Sequence, residues 1–196
     1  MSKGKHYMLP QASSAQWQQE LERERYRVNY RRTLRNTIYS LVTVAAVSVL
    51  IAVLLLPVLQ IYGTSMSPTL DEGEFVVSVK GSDFTTGDVI AFYYNNKILV
   101  KRVIASAGDW VDIDKDGTVY VNSVKLNEPY VTDLSLGDCN IDFPYQVPES
   151  RFFVMGDHRN ISIDSRNTSV GPVSDEQIVG KIVFRIWPLD KLGVIR

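Results

Sequence analysis

Three short runs carry side chains that could do chemistry. The first, Gly63-Thr64-Ser65-Met66-Ser67-Pro68-Thr69-Leu70, is rich in hydroxyls. A serine hydroxyl is a poor nucleophile until a base takes its proton, and a Ser- and Pro-containing turn also suits a plain connector. The second, Ile98-Leu99-Val100-Lys101-Arg102-Val103-Ile104, alternates as a strand. Leu99, Lys101 and Val103 share one face, and Val100, Arg102 and Ile104 the other. A lysine among apolar neighbours is either an edge-strand charge or a desolvated base. To act as a base it must be neutral, which a reference pKa of ~10.4 forbids in water and burial permits. The third run, Gly156 to Arg166, is a polar loop dense in Asp, Ser and Arg that follows an apolar strand pattern.

Other chemistries are poorly served. His158 is the only histidine beyond the long apolar stretch and reads as a solvated loop residue or the base of a triad. Cys139 has no basic neighbour to lower its thiol pKa. Asp112-Ile-Asp114-Lys-Asp116-Gly117 matches half a calcium loop, but the twelfth position is Ser123 rather than Glu, so a hairpin turn is expected. One cysteine and two histidines make neither an internal disulfide nor an ordinary zinc site. No metal and no cofactor are expected. A net charge of −1 argues against a nucleic-acid binder that relies on bulk positive charge.

The elements that must position these runs are mostly strands. FVVSV, DVIAFYY, ILVKRVIA, WVDID, TVYVN, RFFVMG and IVFRIW are short, β-branched and aromatic, with turn material such as Lys80-Gly81-Ser82-Asp83 between them. They predict a mainly β domain over 63–196, of folded-over sheets or a partly closed barrel. Ahead of it, Ile38 to Ile61 is 24 almost wholly apolar residues, with no charge anywhere between Arg35 and Asp71. That length crosses a hydrocarbon layer of ~30 Å, so a transmembrane helix is expected over 37–62. Ser13 and Gln16 could open a further helix through the charged stretch before it. Residues 1–36 carry 8 Lys+Arg against 3 Glu, and residues 63–196 carry 13 against 19 acidic residues. The positive-inside rule therefore places 1–36 in the cytoplasm as a basic tail and the β domain outside, on a single-pass cell-membrane protein. Ser65 lies four residues past Ile61, within ~14 Å of the membrane surface even if extended.

At the three runs the sequence resembles the bacterial type I signal peptidase (leader peptidase) family. Ser65-Met66 with Pro68-Thr69-Leu70 looks like its nucleophile box, and Lys101-Arg102-Val103-Ile104 with Gly108-Asp109 like its lysine box. Gly156, Asp157, Arg159, Ser162, Asp164, Ser165 and Arg166 are similar to its third box. Gly87-Asp88 and the Gly180 to Leu189 run follow the family's order. His158 and Ile161 stand where the family commonly has Asn. Gly63 stands where some members carry a serine hydroxyl for the oxyanion, which leaves the backbone N–H of Ser65 as the nominated donor.

The resemblance implies a serine endopeptidase that removes signal peptides from exported preproteins at small-x-small sites. Ser65 would form an acyl-enzyme and Lys101 would be the general base. Ser162 would hydrogen-bond the Lys101 amine and orient it. Asp164, Arg166, Asp157 and Arg102 would hold the loop by ion pairs. Ile61, Met66, Leu70, Leu99 and Val100 would line shallow substrate pockets, with core packing the alternative for Leu70 and Leu99. Its partners would be preproteins and the lipid bilayer, with no nucleic acid. Two other readings stand beside this one: an inactive anchored β-module for binding or assembly, and a specialised processing peptidase for few substrates. Ser65, Lys101, Ser162 and Asp164 all being present counts against the first.

Overall fold

The structure, a computed structural model, describes residues 14–81 and 83–195. The N-terminal part is one helix, α1, Ser14–Leu55. It contains no Gly or Pro, and its first turns carry Arg23–Glu20 and Arg27–Glu24 pairs at 3.1 and 3.0 Å. Its second half is apolar all round: Ile38, Leu41, Val44, Val49 and Leu54 are all uncovered by protein. Thr43 donates its hydroxyl to the Tyr39 carbonyl at 2.8 Å, which satisfies the group without water. This helix is long and apolar enough to cross a membrane.

Its limits differ from those expected. The helix expected through the charged stretch and the apolar helix are one continuous helix, and it ends at Leu55, short of 62. Pro57 explains the stop, because it lacks an N–H and steers the residue before it away from helical φ/ψ. The apolar run continues past Pro57 because Val58–Gln60 is strand β1, paired with β2 (Phe75–Val79). The capping residue Ser13 lies outside the described residues.

From there the chain is β. The larger sheet has the order β1, β2, β11 (Ile178–Trp187), β3 (Val89–Tyr94), β4 (Lys97–Ala105), β9 (Arg151–Met155), β10 (Val173–Ser174), with β12 (Gly193–Val194) also on β11. The smaller has the order β7 (Val124–Lys125), β6 (Val119–Val121), β5 (Trp110–Ile113), β8 (Tyr145–Gln146). All pairings are antiparallel, and the sheets stay open, as a partly closed arrangement rather than a barrel. The strands expected from alternation are present, although β11 begins four residues earlier than IVFRIW suggested.

Both faces of the larger sheet are covered. Along β3, Val89 and Ala91 join Ile61, Met66, Leu70, Val76 and Ile182 in one core. Ile90 and Phe92 join Val103, Val154 and Val173 in another. A third core sits where Ile104, Phe153 and Met155 meet Val111, Ile113 and Val119 of the smaller sheet. At ~25 cal/mol per Å² of apolar surface removed from water, these three cores supply the stability that lets charged groups be buried beside them.

Candidate active site

β4 changes character along its length. Lys97 and Ile98 are exposed, Leu99 and Val100 half-buried, and Lys101 to Ala105 buried. Residues 97–101 pair only with β3, because pairing with β9 begins at Arg102. Lys101 thus lies at the end of a free strand edge yet is only 3% exposed. Its Nζ is 2.5 Å from Oγ of Ser65, which sits in the turn between β1 and β2. The Lys101 pKa is lowered to about 8, chiefly by burial, with Asp164 and Asp157 opposing and Arg166 assisting. The dry environment decides the direction.

The loop from 156 to 166 holds both groups. Its His158 N–H donates to the Ser65 carbonyl at 3.1 Å. Gly156 passes so close that a Cβ there would overlap the Ser65 carbonyl and the Ser162 hydroxyl. Asp164 accepts from Arg166 Nε and Nη2, both at 2.8 Å, and from the Gly156 N–H at 3.0 Å. Burial pushes the Asp164 carboxyl up, and its Arg166 bonds outweigh that and hold it below its ordinary range. Asp157 accepts from Arg102 Nε at 2.9 Å and Nη2 at 2.7 Å. Thr69, four residues past Ser65, donates its hydroxyl to the same Asp157 at 2.5 Å. The Ser65 turn, the Lys101 strand and the polar loop are tied together through one fully buried ion pair, Arg102 with Asp157.

A cavity of about 740 Å³ opens beside Ser65. One wall is Val58 to Gly63 with Met66, and the other is Lys97 to Lys101. Among the described residues each wall offers a strand edge without a neighbour, since β1 pairs only with β2. An extended peptide laid between them would find backbone partners on both sides and apolar side chains beneath.

The structure brings together Ser65, Lys101, Ile61, Met66, Leu99 and Val100 at this groove. Leu70 is not there. It is fully buried in the core, its N–H donating to the Met66 carbonyl at 2.9 Å in a closed turn. Ser162 is buried beside the site, and its hydroxyl helps lower the Asp164 pKa, with no hydrogen bond to the Lys101 amine among the described residues. The hydroxyl is packed against Gly156. Sequence reasoning missed Thr69 as a tether, although it lies inside the nucleophile run, and missed Glu128 and Tyr130. Those two sit in an irregular segment with no periodicity to mark them.

His158 is partly exposed, and none of the hydrogen bonds or ion pairs among the described residues uses its imidazole. If Lys101 is the base, His158→Asn should keep peptide cleavage within about threefold of wild type, whereas loss of a base costs ~10²–10⁴-fold. Steady-state kinetics of the purified variant checks this.

Residues 34–187 match the signal peptidase family, peptidase S26. Signal peptidase IB of Staphylococcus aureus (strain COL) is 38% identical over 151 residues, 67% of this chain and 78% of that one. Thylakoidal processing peptidase 1 of Arabidopsis thaliana, a chloroplast protein, is 36% identical over 168 residues, 77% of this chain. The chain spans about half the length of that plant relative, 48%. A crystal structure of a signal peptidase I from Enterococcus faecalis V583 aligns at 30% identity with 51% of this chain and 97% of its own, TM-score 0.42.

Proposed function

The chain belongs to the signal peptidase family, peptidase S26, and from that premise we propose that it is a membrane-anchored serine endopeptidase that removes signal peptides from exported preproteins. The observation that carries this reading is the 2.5 Å approach of a buried, pKa-lowered Lys101 to Ser65 beside an apolar groove. Neutral Lys101 accepts the Ser65 hydroxyl proton as Oγ attacks the scissile carbonyl. The Ser65 N–H donates to the oxyanion as charge develops there. The Lys101 ammonium then gives its proton to the leaving amine, and the acyl-enzyme forms. Neutral Lys101 next takes a proton from the water that attacks the ester, and returns it to Oγ of Ser65 as the acyl–oxygen bond breaks, which restores the hydroxyl and the neutral amine.

The remaining residues position or bind. Arg102 with Asp157, and Arg166 with Asp164, hold the lysine strand against the polar loop, while Ser162 fills the space beneath Gly156. Ile61, Met66, Leu99 and Val100 line the groove beside the cut, and the family resemblance implies small-x-small sites there. Residues 37–62 contain the membrane crossing, residues 1–36 lie in the cytoplasm and residues 63–196 outside the cell membrane. Protease added to intact cells is then expected to digest the region after Tyr62 and spare the N-terminal tail. Digestion of the tail would reverse the orientation.

The experiment for the activity is direct. Detergent-solubilised protein is incubated with a preprotein, and the new N-terminus of the product is sequenced. A cut after a small-x-small sequence by wild type, absent with Ser65→Ala, is expected. An unprocessed preprotein, or equal cleavage by Ser65→Ala, would overturn the reading.

A further inference from the structure

Between β7 and β8 the chain makes an irregular excursion, residues 126–144, that comes to rest on the polar loop. Glu128 and Tyr130 are its two groups that meet buried arginines. Both carboxylate oxygens of Glu128 accept from Arg159, Oε2 from Nη1 at 3.2 Å and Oε1 from Nη2 at closer range. Neither side chain of that pair is more than 5% exposed. The ring of Tyr130 lies with its centroid 3.9 Å from the guanidinium carbon of Arg102. Its hydroxyl donates to Glu128 at 3.2 Å, so the two groups form one unit.

The contact is tight along the rest of the excursion. Arg166 donates to the carbonyls of Ser135 at 3.1 Å and Leu136 at 2.7 Å. Gly137, at φ +63°, runs so close to the loop that a Cβ would overlap the Arg159 carbonyl. Three arginines thus cross from the polar loop and the lysine strand into this segment or against it. Asp157 partners Arg102 and Asp164 partners Arg166, but Arg159 has no carboxylate within its own loop and takes the one on Glu128.

We propose that Glu128 and Tyr130 are positioning residues for the Ser65–Lys101 pair, acting as a strap that presses the 156–166 loop and Arg102 into place and keeps water from the lysine. The proposal rests on the peptidase reading given above. Glu128 acts by neutralising Arg159, which would otherwise be a buried cation drawing water into the 156–166 loop, whose His158 N–H holds the Ser65 carbonyl. Tyr130 acts by covering the face of Arg102, the residue next to Lys101. The charged groups that act on Lys101 are Asp164 and Asp157, which raise its pKa, and Arg166, which lowers it, and desolvation is the largest influence. Desolvation is then the lever that the strap controls. Opening it moves the lysine back toward its ordinary pKa.

The test follows the lysine by two routes, one of which does not need turnover. Full-length protein in detergent is labelled with an amine-acylating reagent across a pH series, and mass spectrometry of the Lys101 peptide gives the midpoint of its reactivity. The same preparations are assayed for kcat and KM against a preprotein peptide. In Tyr130→Leu, which leaves the charge unchanged, and in Glu128→Gln, the midpoint should rise by about one pH unit and kcat should fall at least about tenfold with KM little changed. Tyr130→Phe keeps the ring over Arg102 and loses only the 3.2 Å bond to Glu128, which Arg159 still holds, so it should stay within about twofold of wild type in kcat with the midpoint little changed. An unmoved midpoint in Tyr130→Leu and Glu128→Gln, or equal damage from Tyr130→Phe, overturns the proposal. Absence of cleavage by wild type would instead sink the peptidase reading, and the labelling midpoints would still decide whether the strap controls the lysine.

Discussion

Ser65→Ala and Lys101→Ala are each expected to remove nearly all cleavage, and the double variant is expected to be little worse than either. The hydroxyl and the amine are 2.5 Å apart, and in the proposed mechanism they perform one proton transfer between them, so neither has a task without the other. Loss of a general base costs ~10²–10⁴-fold, and the removal of the nucleophile leaves only what binding and the oxyanion donor supply. Single-turnover rates with a preprotein peptide measure all three variants. Additive losses in the double variant would mean that the two side chains act in separate steps. A Lys101→Ala protein that keeps more than about a tenth of the rate would remove Lys101 from the chemistry.

The second large effect is on stability. Asp164 and Arg166 are fully buried and bonded to each other twice. Asp164→Asn keeps the shape and removes the charge, leaving the guanidinium with carbonyl partners alone. Removing one partner of a buried pair typically costs about 3–5 kcal/mol. Denaturant unfolding of the detergent-solubilised variant, followed by Trp110 and Trp187 fluorescence, should show a loss of that order. Glu20→Gln, which breaks the exposed pair to Arg23, should cost under about 1 kcal/mol and serves as the reference. The pH dependence has a definite sign. The folded-state pKa of Asp164 is depressed, so its contribution is present above the unfolded value of ~3.9 and is lost as pH falls through the folded one. Wild type should therefore lose its advantage over Asp164→Asn in acid.

Much of this was legible in sequence for physical reasons that differ from place to place. The strands could be read because burial on both faces of the larger sheet demands unbroken β-branched and aromatic runs, as in Val89–Tyr94. The apolar helix could be read from length alone, but its end could not. Val58 to Ile61 is as apolar as what precedes it, because it covers a protein core and lines a groove, and Pro57 was the only mark of the change. Leu70 looked like a groove residue because it adjoins the nucleophile run, yet the turn closed by its own N–H points it inward. The direction of the Ser162 hydroxyl is a matter of packing against Gly156, which spacing does not encode. Glu128 and Tyr130 were beyond reach because sheet topology, not local pattern, brings that excursion onto Arg102 and Arg159.

The central claim is that a neutral, desolvated Lys101 activates Ser65. The pH dependence of the single-turnover acylation rate tests it most directly. Below the Lys101 pKa of about 8 the amine is protonated and cannot accept the serine proton. The rate should fall about tenfold per pH unit in that range and level off above it. A rate already saturated by about pH 7, with a midpoint near the ~6.5 of an imidazole, would contradict the account and move the base to His158.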